Sequence, residues 1–328
     1  MSIAVAVTVH DGIVLAADSA STLSLIARPI VGAPGPVQMA ANVYNNANKI
    51  SNLFKGKPIG CVACGAGSIG NASISTLLKD FRKDLLEGKI SGFDPKTYTM
   101  RDVSQWLIDF LASHVQRLNP NEPKPTLGLM VAGYSAGNGN KPTDDRPASV
   151  TDGTPGAPLA VDVRLGEVWS IGLQNGVASQ PQNMRPSDPV GISWAGEAEC
   201  VARILMGFSP RLPQLMQRMI ASSTDHAKLM TFLMNNLQAP VVFAPMPIQD
   251  TIDLAEWLVQ TSIMFSRFSP GAPVVGGPIE SAAITKHEGF KWVHRKHYFQ
   301  REFNQEDSIN EYSDRHDTHG SQPRTDGD

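Results

Sequence analysis

The chain is poor in cysteine, in charge and in long apolar runs, and each shortage removes a class of protein. Three cysteines among 328 residues cannot build a disulfide framework. Cys61-x-x-Cys64 has no second Cys pair or His-x-His spacing beside it, so no metal site is indicated. In an alternating strand their odd spacing sends the two thiols to opposite faces, which makes them core residues. Charged residues are 18% with a net charge of −3 and no Lys/Arg run, which argues against nucleic acid as the primary partner. No apolar stretch reaches the ~18 residues of a membrane span. The first residues lack a positive region, and their apolar run breaks at His10-Asp11, so no secretory signal is expected and a cytoplasmic location is.

Hydrophobic residues at 41% with 28 glycines are ordinary for a soluble globular protein. The length suggests two domains' worth of material or one layered domain with insertions. Ser2 to Val9 and Ile13 to Ala17 are apolar runs joined through His10-Asp11-Gly12, a hairpin signal. A Pro/Gly/Asn-rich loop from Arg28 to Asn48 is expected next, then short strands near Lys49–Phe54 and Pro58–Cys64. Ile74, Leu77, Leu78, Phe81 and Leu85 share one helical face, and Val103, Trp106, Leu107, Phe110 and Leu111 another. Strands are expected at Leu127–Ala132, Leu159–Val163 and Val168–Ile171. A mostly helical stretch follows from Gly196 to Phe268, and a strand pair at Ile279–Thr285 and Gly289–Val293. From Asn304 to Asp328 seven acids face two arginines and aliphatics nearly vanish, so an acidic, disordered tail is expected over 299–328. Its His316 and His319 read as solvated rather than as metal ligands. This order is no βαβ alternation; it predicts an α+β protein with two antiparallel sheets stacked face to face and helices outside.

Two motifs look like chemistry and lack its context. Gly65-Ala66-Gly67-Ser68-Ile69-Gly70 fits the dinucleotide fingerprint, but its helix leads to a second helix, and no strand ending in an acid follows about 20 residues on. It reads as a tight turn whose exposed N–H groups suit an oxyanion. Gly133-Tyr134-Ser135-Ala136-Gly137 fits a nucleophile elbow, yet Pro- and Gly-rich sequence follows where that motif needs a helix, so it reads as a hairpin end.

A third arrangement is more promising. Removal of Met1 leaves Ser2 with a hydroxyl and an α-amine, whose pKa near ~8 suits a general base toward its own hydroxyl. Asp18 ends the neighbouring strand and Lys49 opens the third. A Lys ammonium beside the hydroxyl favours its ionised form, and an Asp would position the Lys. On spacing alone, a plain strand start with two surface caps is the alternative.

Residues 2–22 resemble the start of mature proteasome β-type subunits: a terminal nucleophile, an apolar strand, Asp-Gly, then Val-Leu-Ala-Ala-Asp-Ser. Asn48-Lys49-Ile50 is similar to the family's Lys-Lys-Val/Ile, Cys64-Gly65-Ala66-Gly67-Ser68 to its Cys-Gly-Ala-Gly-Thr, and Ala132-Gly133-Tyr134 to its Ala-Gly-Tyr/Trp-Asp. Gly276-Gly277-Pro278-Ile279-Glu280 resembles its Gly-Gly-x-Ile-Asp. The blocks fall in order across residues 2–298, most closely in the manner of divergent bacterial proteasome homologues. The resemblance implies a four-layer αββα Ntn-hydrolase sandwich and peptide-bond hydrolysis inside stacked homo-oligomeric rings fed with unfolded peptide. It leaves room for an ATPase unfoldase or regulator and needs no metal or cofactor. It implies Ser2 as nucleophile and base, Asp18 and Lys49 as the supporting pair, Gly67 N–H as oxyanion donor, and the backbone around Thr22 as the strand that pairs with substrate.

The chain departs from the family where the terminal amine would find hydrogen-bond partners. Ser2 replaces Thr, Ala272 and Val275 stand where the family has Asp and Ser, and Ala195-Gly196-Glu197-Ala198 replaces a Ser-Gly-Ser. A loop at about 136–158, a mostly helical segment at about 208–247 and the tail are additions. These departures keep two alternatives in view: a non-proteolytic ring scaffold and an Ntn acylase of small amides.

Overall fold

The computed structural model describes residues 2–27, 37–136, 165–219, 223–271 and 273–297, with the side chains of 23–27, 37–41 and 223 left aside. Contacts divide the chain into a unit Met1–Arg295 and a second, Lys296–Asp328, of which Lys296 and His297 are described. The expected acidic tail with His316 and His319, most of the 136–158 loop, the Leu159–Val163 strand and Ala272 lie outside the described residues.

Ile3–Thr8 (β1) and Gly12–Ala17 (β2) form the expected hairpin, closed by the Val9 N–H donating to Gly12 O at 2.9 Å. Ser21–Ala27 (β3) pairs with Val37–Tyr44 (β4). That pairing corrects the expectation of an irregular Arg28–Asn48 loop: Val37, Val43 and Tyr44 are strand formers whose signal is diluted by Pro, Gly and Asn around them. Ile50–Asn52 (β5) and Ile59–Gly65 (β6) follow, then the two-residue pair Ser68–Ile69 (β7) and Ala72–Ser73 (β8). Ile74–Leu86 (α1) is capped by Ser73, and Met100–Gln116 (α2) by Thr99, whose side-chain oxygens accept from Thr76 N–H and Asp102 N–H. Next come Leu127–Gly133 (β9), Glu167–Gln174 (β10), Val177–Ala178 (β11), Gln182–Asn183 (β12) and Gly191–Gly196 (β13). The helices Glu199–Met206 (α3), Leu212–Gln217 (α4), Ser223–Leu237 (α5) and Ile248–Phe268 (α6) precede the last hairpin, Glu280–Thr285 (β14) and Gly289–His294 (β15).

One antiparallel sheet runs β13-β1-β2-β14-β15; a second runs β11-β10-β9-β6-β5, with β12 also on β10. The strands β1 and β2 are buried on both faces, which is why they read as unbroken apolar runs. The period of two still sorts the side chains. Ala4 and Ala6 of β1, with Ile13 and Leu15 of β2, face Val62, Met130 and Ala132 of the other sheet. Ile3, Val5 and Val7 turn the opposite way, onto Val201 of α3 and Ala255, Leu258 and Val259 of α6. On the far side of the second sheet, Leu77 and Phe81 of α1 and Leu107 and Leu111 of α2 cover Cys61, Leu129 and Val131. Helices therefore lie outside two stacked antiparallel sheets. Cys61 belongs to the outer cluster and Cys64 to the one between the sheets, as their odd spacing predicts. No described helix is long and apolar enough to cross a membrane.

The topology also explains the two motifs. The β6 strand has antiparallel neighbours on both sides, β5 and β9, so no parallel βαβ unit follows the Gly65–Gly70 turn. Ser135 Oγ accepts from the Met100 N–H at 3.0 Å and donates to Glu167 Oε1 at 2.9 Å, which makes it an anchor for the start of α2.

Candidate active site

The strand β1 lies between β2 and β13, and this fixes the surroundings of Ser2. Register pairs Ile3 with Gly196, so Ser2 sits where β13 ends; it is buried, and its carbonyl accepts from the Glu197 N–H at 2.7 Å. Gly196 has φ +93°, and a Cβ there would collide with the Ser2 carbonyl oxygen. Glycine at this position lets the chain turn directly over Ser2.

Asp18 follows β2 and is fully buried. Its carboxylate collects four donors. Oδ1 accepts from the Ile3 N–H at 3.0 Å and from Lys49 Nζ at 2.5 Å; Oδ2 accepts from the Ala20 N–H at 3.1 Å and the Gly276 N–H at 3.0 Å. One oxygen thus ties the peptide joining Ser2 to Ile3 to the Lys49 ammonium. A buried carboxylate this well satisfied avoids most of the desolvation cost that an isolated one meets.

Lys49, 7% exposed, is steered by its backbone: its N–H donates to Glu280 Oε2 at 3.1 Å, and its carbonyl accepts from the Ala63 N–H at 2.9 Å. Burial holds its ammonium below the ordinary lysine range, against the pull of Asp18 and, more weakly, of Cys64 and Glu280. The segment 276–278 straps Asp18 in place, since the Ser19 N–H donates to Gly276 O at 2.9 Å and Ser19 Oγ donates to Pro278 O at 2.5 Å. Gly277 has φ +77°, and a Cβ there would strike the Asn45 carbonyl.

Gly67 lies in the exposed turn after β6, and its carbonyl accepts from the Ile74 N–H at the start of α1 at 2.9 Å. A Cβ on Gly67 would come within 3.2 Å of Ser21 Oγ, so the turn faces the first residue of β3. Thr22 is next, opposite Val43 of β4; its Oγ1 is buried and finds no hydrogen-bond partner among the described residues. The other edge of β3 pairs with no strand among the described residues.

The sequence-derived candidates therefore fall into two linked groups. Ser2, Asp18 and Lys49 meet through the Asp18 carboxylate, and Gly67 and Thr22 meet through Ser21. Asp18 joins the groups by holding Ala20, the residue before Ser21. Four further residues take part that the sequence motifs contain but to which the sequence assigned no role in the site: Gly196, Gly276, Glu280 and Cys64. Glu280 carried a usable signal, a lone acid at the head of the apolar strand Glu-Ser-Ala-Ala-Ile-Thr, and it is 1% exposed. Cys64 is a core residue, as read, yet it also borders the site: a Cβ on Gly196 would lie 3.6 Å from its own Cβ. Burial pushes its thiol up, and the charge of Lys49 works against that. Val275 is buried in the apolar cluster under α6.

The arrangement can hold a cation rigidly beside the peptide that follows Ser2 and present backbone N–H groups at a nearby exposed turn. No protein-family model matches this sequence, and no curated protein matches it.

Proposed function

We infer that the chain is an N-terminal-serine hydrolase with a proteasome-like αββα Ntn architecture, cleaving peptide bonds inside a homo-oligomeric ring. The observation that carries this reading is the fully buried Asp18 carboxylate, which binds Lys49 Nζ and the Ile3 N–H through one oxygen. A surface cap needs no such burial.

In the proposed reaction, loss of Met1 frees the Ser2 amine, which takes the Ser2 hydroxyl proton directly or through one water. The Lys49 ammonium stabilises the developing alkoxide, and Asp18 holds that ammonium in place. The oxygen attacks the scissile carbonyl, the Gly67 N–H stabilises the oxyanion, and the protonated amine delivers its proton to the leaving nitrogen. The ester on Ser2 Oγ is then hydrolysed by water activated by the same amine. An extended peptide added at the open edge of β3, at Ser21 and Thr22, would bring its carbonyl to the Gly67 turn. A cytoplasmic setting belongs to this reading, supported by three free, buried cysteines.

The test is intact mass followed by covalent labelling. Met1 is expected to be absent, and a serine-directed electrophile is expected to add to Ser2 and not to a Ser2→Ala variant. Retained Met1, or a free Ser2 that never labels, overturns the proposal. A second reading, a ring scaffold without proteolysis, is favoured by Val275: this buried apolar side chain offers the terminal amine no hydrogen bond. It predicts assembly indifferent to Ser2→Ala and no turnover of an unfolded casein.

A further inference from the structure

Buried charge is scarce in this protein and lies in one place. Among the described residues the buried charged side chains are Asp18, Lys49 and Glu280. Asp18 takes the Lys49 ammonium, and Glu280 takes the Lys49 backbone, its Oε2 accepting from the N–H at 3.1 Å. Lys49 is thus gripped at both ends by a carboxylate. Register fixes where the second carboxylate stands: Ala17 pairs with Ala4 on one side and with Glu280 on the other. The three form one row across β1, β2 and β14, and its two alanines face the second sheet. Glu280 is therefore two strand spacings, roughly 10 Å, from β1. At that separation inside a protein a unit charge still changes a neighbour's proton affinity.

The proposed reaction creates a second cation near the first. When the Ser2 amine takes the hydroxyl proton it becomes an ammonium, and it stays one until that proton passes to the leaving nitrogen. We propose that Glu280 is the positioning residue that sets the charge of this site: its carboxylate fixes the Lys49 backbone, keeps the proton on Lys49, and stabilises the ammonium that forms on Ser2. Its pull on the Lys49 proton works with that of Asp18, against burial. Val275 gives the amine no hydrogen bond, so a fixed charge acts on it from a distance instead. The other titratable groups nearby are the Cys64 thiol of β6 and Glu197, just past β13. On β15, His294 is engaged by Glu256 of α6 at 2.6 Å. The part played at the amine rests on the catalytic reading of Ser2; the part played at Lys49 does not.

Two substitutions separate the charge from the hydrogen bond. Glu280→Gln keeps an acceptor for the Lys49 N–H and removes the charge, while Glu280→Asp keeps the charge and shortens the reach. The rate of Ser2 labelling is expected to rise with pH as the amine loses its proton and to fall as Lys49 does. In Glu280→Gln both limbs are expected to move to lower pH by about half a pH unit or more, and in Glu280→Asp to stay in place. Urea unfolding of the full chain reads Lys49 without any labelling. Stability rises with pH on the interval below pH 10.5, and in Glu280→Gln that rise is expected to begin at lower pH. Lys49→Arg, which keeps its proton, is expected to erase the difference. Far-UV circular dichroism confirms that each variant folds. Limbs or a stability rise that Glu280→Gln leaves in place, or that Glu280→Asp moves equally far, would overturn the proposal. A Ser2 that never labels overturns the catalytic reading instead. The urea series then decides for Lys49, where a displaced rise sustains the proposal and an unmoved one overturns it.

Discussion

Asp18 shows how a carboxylate is kept in a buried position. Its two oxygens take four donors, three from the backbone and one from Lys49, so neither the acid nor the ammonium is left uncompensated. Asp18→Asn preserves the shape but sets an NH2 group against N–H donors and strands Lys49. The expected result is a loss of about 3–5 kcal/mol in urea unfolding and a fall of more than ~100-fold in the rate of Ser2 labelling. Burial also gives Lys49 a pH signature. Its folded-state pKa lies below 10.5, so across that interval the unfolded chain binds more protons and stability rises with pH. Catalysis runs the other way there, because the hydroxyl loses its neighbouring cation. Ser2 labelling is expected to fall on an alkaline limb below pH 10.5. A Lys49→Arg variant, whose guanidinium keeps its proton, is expected to retain residual labelling with no such limb.

At the scale of elements, a strand end and a strap decide the geometry around Ser2. The β13 strand finishes at Gly196 with positive φ, directly over the Ser2 carbonyl. Gly196→Ala is expected to cost about 1–3 kcal/mol from the backbone conformation alone, and more from the collision. Its readouts are a lower thermal midpoint and lost Ser2 labelling. The elements themselves were largely legible. Asp11-Gly12 announced the first hairpin, and the 3.6-residue period announced α1 and α2, because both signals are written in neighbouring residues. The β4 strand was not, because Pro, Gly and Asn hide a short β-forming run that pairs, among the described residues, with β3 alone.

At the scale of the molecule, both sheets share one inner layer. Leu15 is fully buried there among residues of β1, β6, β9 and β14, so it belongs to neither sheet alone. Leu15→Ala is expected to cost about 2–5 kcal/mol while unfolding stays a single transition, followed by near- and far-UV circular dichroism in parallel. Separate transitions would mean that the sheets unfold independently. The small residues Ala4, Ala6 and Ala132 let the sheets approach, and that closeness seals Asp18, Lys49 and Glu280 from water.

The amino-acid order alone determined most of the element types, the Asp-Gly hairpin, the opposite fates of Cys61 and Cys64, and Ser2, Asp18 and Lys49 as one candidate group. Those features rest on residue type and short-range period, which any stretch of chain displays. Tertiary structure decided what surrounds that group: the Gly276 N–H reaches Asp18 across 258 positions, and Glu280 reaches Lys49 across 231. A backbone N–H carries no mark in the sequence, and its partner is set only when distant strands find their register.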